Sequence, residues 1–224
     1  MTQTATRPQA VVMTAWETPI YQAGLADPDT PDGGAQAREM ISELRDLILD
    51  AEDHDAAAHT FGLAGGGTKK SSMDILKWDH RAVAWLRTQI RDAVSAMTAD
   101  VLAERAPEVE SKYPVIAEAW AVVYRSGGSH RLHTHHDSIY SGTIYIECGG
   151  VSATSGNLHM FDPRPAAIAC GVTPGVLSIE PRPGLLVAFP SWLPHSVQAT
   201  HQYADGQRIC IAWNASYDRT GGKP

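Results

Sequence analysis

The sequence is short of basic residues, of cysteine and of long apolar runs. Its 18 Lys and Arg stand against 25 Asp and Glu, a formal charge of −7. No cationic surplus is left to neutralise a phosphate backbone, so no nucleic-acid partner is expected. The three cysteines, Cys148, Cys170 and Cys210, are odd in number and widely spaced. They make no disulfide framework and fit a reduced, cytoplasmic protein. No apolar stretch approaches the ~18 residues of a bilayer span; residues 185–189 are typical of what there is, and no membrane partner is expected. The opening MTQTATRPQA lacks a basic segment followed by an apolar one, so a secretory signal is not expected either. With 43% hydrophobic residues in 224, the chain can bury a sizeable core and is not disordered by composition.

What is present divides into two textures. Met40, Ile41, Leu44, Leu47 and Ile48 recur at spacings of three and four, which predicts a helix over residues 35–49. Val83, Leu86, Ile90, Val94, Met97 and Val101 predict a longer one over 81–103, with Pro107 just beyond its end. Between them, residues 62–72 (GLAGGGTKKSS) read as a flexible loop. The loop lacks the G-x-x-x-x-G-K-[ST] spacing of a phosphate-binding loop. From about residue 116 short apolar runs alternate with Gly, Pro, Asn and Asp, at 119–124, 132–135, 143–147, 157–161, 176–179, 185–189, 195–199 and 209–214. Eight short strands so spaced predict a mainly β fold of the jelly-roll, cupin-like type. The helices have no core of their own and would cover one sheet from outside. The expectation is therefore one domain over 1–224, with a helical flank (1–110) and a β core (111–219).

Seven of the ten histidines lie between residues 130 and 201. In SHRLHTHHDS, His133, His135 and Asp137 alternate, and an extended strand puts i, i+2 and i+4 on one face. Far downstream, PSWLPHSV places His195 at the start of another predicted strand. Neighbouring ligands from one strand and a third from a distant one can assemble a mononuclear iron site of two His and one carboxylate, with positions open for a co-substrate and dioxygen. Three of His133, His135, Asp137 and His195 are the candidate ligands. Zinc hydrolysis would use similar donors, but the HExxH and CxxC patterns are missing.

Arg208 follows His195 by 13 positions (208 − 195) in GQRICIAWN. A guanidinium carried into a barrel needs an anion, such as the distal carboxylate of a 2-oxo diacid, or a salt bridge to Asp205 or Glu180. In SGTIYIE, Tyr145, and upstream Tyr124, are candidates to donate to that carboxylate. Trp192, Arg125, Arg164, His159 and His130 are candidates for the substrate mouth. The loop at 62–72 and the turn at 127–129 are candidate lids.

These blocks resemble the 2-oxoglutarate-Fe(II) oxygenases of bacteria and phages, a family with a double-stranded β-helix fold. HTHHDSIYSGTIY (133–145) is similar to the family's H-x-H-P-x-S-x-x-S-G-x-x-Y block, GLLVAFPSWLPHSV (184–197) to its second block, and RICIAWN (208–214) to its R-I-x-I-x-x-N close. An FDPR segment (161–164) is also shared. The resemblance implies Fe(II) at His133, His135 and His195, and 2-oxoglutarate at Arg208. This sequence departs from the family in carrying His136 and Asp137 after the H-x-H. Two registers therefore stay open, His133/His135/His195 and His135/Asp137/His195. The implied activity is oxidation, usually hydroxylation, of a C–H bond in a small molecule such as an amino acid or specialised metabolite, with release of succinate and CO2. Two rivals make different demands. A three-histidine cupin-like dioxygenase or isomerase would turn over without 2-oxoglutarate, and a non-catalytic jelly-roll binding module would hold no iron. A homodimer through the helices is the candidate assembly.

Overall fold

A computed structural model describes residues 17–54, 64–71, 74–149, 155–171, 174–201 and 206–218. The two expected helices form, as α1 (Ala35–His54) and α2 (Arg81–Leu102). Asp32 starts α1 by accepting hydrogen bonds from the backbone N–H groups of Gly34 (2.9 Å) and Gln36 (2.8 Å). His80 caps α2 by accepting from the N–H of Ala82. Each cap satisfies donors that the first helical turn leaves unpaired. The predicted stripes are the buried ones, with Leu44, Val83, Leu86 and Val94 fully covered. Leu47 is half-buried, and Val101 is the exposed exception. It stands 52% exposed on an open groove beside Ile20 and Tyr21, because the last turn of α2 runs past the sheet it covers. Two shorter helices, α3 (Ala106–Lys112) and α4 (Pro165–Ala169), were not expected. No helix among the described residues is long and apolar enough to cross a membrane.

The strands are β1 (Tyr21–Gly24), β2 (Ala64–Gly65), β3 (Thr68–Lys70), β4 (Val115–Tyr124), β5 (Ser129–His133), β6 (Tyr140–Cys148), β7 (Leu158–Phe161), β8 (Val176–Ile179), β9 (Leu185–Pro190), β10 (His195–Val197) and β11 (Arg208–Tyr217). They form a six-stranded sheet in the order β1-β9-β6-β11-β4-β3 and a five-stranded sheet in the order β2-β5-β10-β7-β8. Every pairing is antiparallel. This is the double-stranded β-helix expected from the sequence.

The stretch read as a flexible loop is, over its described part, structured. β3 adds to β4 with Thr68 opposite Tyr124, and β2 adds to β5 with Ala64 opposite His130, so the segment steps from one sheet to the other. At the corner Gly66 has φ +59°, and a Cβ there would lie 2.3 Å from the Gly127 carbonyl oxygen. The two segments proposed as lids are thus packed against each other. Residues 62, 63 and 72 lie outside the described set, as do 219–224 and Asp205.

Alternation along the large sheet sorts its side chains into two layers. Ile209, Ile211, Trp213 and Ala215 of β11 join Ile144 and Ile146 of β6 against α1 and α2. Cys210 faces the other way, with Trp120, Val122, Tyr145, Val187 and Phe189, into the space between the sheets. Gly142 makes room for Trp213: a Cβ there would sit 2.2 Å from the indole and 2.5 Å from the Val187 carbonyl oxygen. The layer of helices leaves the inner face of the sheet free to line a cavity.

Candidate metal centre and co-substrate cavity

Register decides what meets between the sheets. β10 pairs with β5 so that His195 stands opposite His133. His135 lies two residues past the end of β5, where its backbone N–H donates to the Ser191 carbonyl (2.9 Å). One ring nitrogen from each of His133, His135 and His195 lies within 4.8 Å of the others, a spacing at which one ion can touch all three. The ring centroids of His133 and His195 are 4.3 Å apart, and His135 stacks on His195 at 5.2 Å.

Asp137 is not in this group. β5 ends at His133 and the chain bends at 136–137, so the strand alternation that would have aligned Asp137 with the two histidines is broken. His136 and Asp137 are exposed and line an outer cleft instead.

Two of the rings are held by their other nitrogen. His195 Nδ1 is 2.9 Å from the Leu193 carbonyl oxygen, and His133 Nδ1 is 2.7 Å from that of Arg131. A carbonyl only accepts, so each Nδ1 carries the proton and each Nε2 presents its lone pair. Burial pushes the pKa of His195 down to about 3, and the neighbouring His133 and His135 push it the same way. His135 is lowered to about 4, first by burial and then by His133, and burial lowers His133 as well. All three are neutral at pH 7, the state in which imidazole ligates a metal.

Behind the histidines lies a small cavity of about 70 Å³, lined among others by Thr143, Tyr145 and Arg208. Arg208 is 1% exposed, and its Nε and Nη1 have no hydrogen-bond partner. Tyr124 and Tyr145 flank the guanidinium, at 4.4 and 5.1 Å from its carbon to their ring centroids. The Tyr145 hydroxyl and Thr143 Oγ1 are likewise buried without partners. Burial raises both phenol pKa values well above the usual range, so both remain donors. Tyr124 is also tied by its hydroxyl to His130 Nδ1 (2.9 Å). A buried cation with orphaned N–H groups, next to orphaned hydroxyls, is costly unless an anion completes it. A dicarboxylate fits this arrangement.

The other candidates for the substrate mouth are scattered. Arg125 is engaged with Glu52 through two hydrogen bonds of 2.8 and 2.7 Å. Arg164 pairs with Asp162 beside a separate groove. His159 alternates with the buried Leu158 and Met160 and so faces away from the space between the sheets. Trp192 is 51% exposed in the turn between β9 and β10. His130 alone of these lines both the cavity and the outer cleft. Trp120, Thr143, Lys70 and Glu118, which sequence reasoning did not select, line one or other of these spaces.

The fold is a double-stranded β-helix, and its three histidines are a donor set that one metal ion can share. Residues 118–214 match the profile of the family described as "Putative 2OG-Fe(II) oxygenase". Those residues run from β4 to β11 and carry all three histidines and Arg208. The stretch of the chain from β4 to β11 is thus similar to the core of that family. Among solved structures, a Pseudomonas putida prolyl-4-hydroxylase is similar at 16% identity and a TM-score of 0.61, over 88% of this chain and 91% of that one. HygX from Streptomyces hygroscopicus, with nickel and 2-oxoglutarate bound, is similar at 13% identity and a TM-score of 0.53, over 90% and 84%. SnoN, an α-ketoglutarate-dependent epimerase from nogalamycin biosynthesis, is similar at 15% identity and a TM-score of 0.58, over 90% and 81%. At these identities the likeness is one of fold. No curated protein matches in sequence.

Proposed function

We propose that the chain, acting as one domain, holds Fe(II) through His133, His135 and His195 and 2-oxoglutarate through Arg208, and oxidises a C–H bond of a small molecule. The observation that carries this reading is the convergence of three imidazoles beside a small cavity that holds a buried guanidinium with unpartnered N–H groups. When bound, the metal and its co-substrate supply, with dioxygen, the oxidising power that turns 2-oxoglutarate into succinate and CO2 and oxidises the substrate, hydroxylation being the expected outcome.

The protein's part is placement. The Leu193 and Arg131 carbonyls fix the orientation of the His195 and His133 rings. Arg208 neutralises the far carboxylate of the diacid, and Tyr145 and Thr143 offer it hydroxyl donors. Phe189, whose ring centroid is 4.7 Å from that of His195, and Trp120 keep water from the inner side of the histidines. The three-histidine set also suits a dioxygenase that needs no 2-oxoglutarate, but that reading leaves Arg208 buried with nothing to answer its charge.

The test is succinate release by iron-reconstituted protein given 2-oxoglutarate and dioxygen. The wild type should form succinate, and Arg208→Ala and His195→Ala should lose at least nine-tenths of it. Equal succinate from all three proteins would refute the assignment.

A further inference from the structure

Tyr124 and His130 stand on the two arms of one tight turn. Tyr124 is the last residue of β4 and His130 the second of β5, and neighbouring segments pin the turn between them. The Gly128 N–H donates to the Arg125 carbonyl (2.7 Å), the Arg125 N–H to the Gly67 carbonyl (2.9 Å), and the Thr200 N–H to the Gly128 carbonyl (3.0 Å). Thr68 Oγ1 accepts from the Ser129 N–H (3.2 Å), and Thr200 Oγ1 donates to the Arg125 carbonyl (2.8 Å). Gly128 leaves no room for a side chain, since a Cβ would lie 2.8 Å from the Arg125 carbonyl oxygen and 3.0 Å from Tyr124 Cβ. The turn fixes where the two side chains begin.

Both side chains reach the space between the sheets. The Tyr124 hydroxyl is 2.9 Å from His130 Nδ1, and the two rings meet edge to face at 5.8 Å. The Tyr124 ring, 3% exposed, lies 4.4 Å from the carbon of the Arg208 guanidinium. His130 has its ring centroid 5.6 Å from that of His133, yet it stands outside the group whose nitrogens converge on one point. It is placed to act on the carboxylate end of the cavity and not as a metal ligand.

Tyr145 and Thr143 carry hydroxyls without partners, whereas the Tyr124 hydroxyl is already engaged. A hydroxyl hydrogen rotates to suit its partner. His130 removes that freedom at Tyr124 and holds the phenol beside Arg208. A group ordered before its ligand arrives does not have to be ordered on binding, which raises affinity without a new contact.

From this arrangement we infer that His130 is a positioning residue for the co-substrate: through Nδ1 it holds the Tyr124 phenol against Arg208, and it acts through Tyr124 rather than through the metal. The inference rests on the oxygenase reading above and adds a residue to that same site.

The test measures binding rather than turnover, by isothermal titration of 2-oxoglutarate into full-length, Fe(II)-loaded protein without oxygen, with iron per chain counted in each sample. Tyr124→Phe removes the hydroxyl, His130→Leu removes its partner, and His130→Asn keeps a polar group where the imidazole has Nδ1. Tyr124→Phe and His130→Leu should each weaken 2-oxoglutarate binding by about fivefold or more, the loss of one hydrogen bond in the site. His130→Asn should stay within about twofold of the wild type, and every variant should keep its iron. The double variant Tyr124→Phe/His130→Leu should bind within about twofold of Tyr124→Phe alone, because His130 reaches the co-substrate only through the phenol.

The inference is overturned if Tyr124→Phe or His130→Leu binds 2-oxoglutarate as the wild type does, if the two losses multiply in the double variant, or if His130→Leu loses iron. Equal weakening by His130→Asn and His130→Leu would also overturn it, since ring packing and not the Nδ1 contact would then be what matters. A wild-type protein that binds iron but no 2-oxoglutarate would refute the oxygenase reading, and this inference with it.

Discussion

His195 stands directly opposite His133 in the β5–β10 pair, their ring centroids 4.3 Å apart, although 195 − 133 = 62 positions separate them in sequence. The contact is set by backbone register in the small sheet. The carbonyls that orient the two rings come from Leu193 and Arg131, each two residues before its histidine on the same segment. The donor set is therefore preorganised by local chain geometry, which lowers the cost of ordering it around a metal.

Arg208 makes the first prediction. Its guanidinium is buried with Nε and Nη1 unpaired, and a buried charge without compensation costs the fold about 3–5 kcal/mol, a cost that an apolar side chain of similar length does not carry. Arg208→Met should raise the melting temperature of the ligand-free protein, by roughly 2–4 °C for each kcal/mol so relieved in a chain of this size. Added 2-oxoglutarate, with Fe(II) under anaerobic conditions, should stabilise the wild type by mass action and leave the variant unmoved. Thermal melts with and without the diacid decide it. A destabilised variant that still gains stability from 2-oxoglutarate would contradict the role given to Arg208.

Acid should weaken the metal-free fold. Unfolded histidines protonate near their ordinary value of ~6.5, whereas His135 and His130 protonate near 4 and His195 near 3 in the fold, chiefly because burial opposes the charged form. Between those values the unfolded chain binds more protons than the folded one, so stability rises with pH and is lost as pH falls from about 6.5 towards 4. Urea unfolding of metal-free protein should show a lower midpoint at pH 5 than at pH 7.5, and His195→Phe should flatten the difference. An unchanged midpoint in the wild type would show that the histidines are not buried as described.

Much of this was legible in the chain, for identifiable reasons. Helical periodicity located α1 and α2 because a 3.6-residue repeat survives in one dimension. His133, His135, His195 and Arg208 stood out because their residue types are rarely buried without a task. Asp137 could not be placed from the sequence, since strand alternation holds only while the strand lasts, and β5 stops at His133. Lys70 and Glu118 were passed over because their meaning depends on cross-strand register. Lys70 lies in a Gly-rich stretch with no strand signature, and β3 forms there only because β4 offers it an edge. The same holds for Gly142, whose importance appears only once Trp213 is laid across it.

The central claim is that His133, His135 and His195 are the metal's protein ligands. Its most direct test is anaerobic Fe(II) binding, measured as iron per chain after gel filtration, for the wild type, His133→Ala, His135→Ala, His195→Ala and Asp137→Ala. The account predicts one iron per chain in the wild type and in Asp137→Ala, and less than a tenth of that in each histidine variant. Retention of iron by His133→Ala together with its loss from Asp137→Ala would contradict the account and move the carboxylate into the metal site.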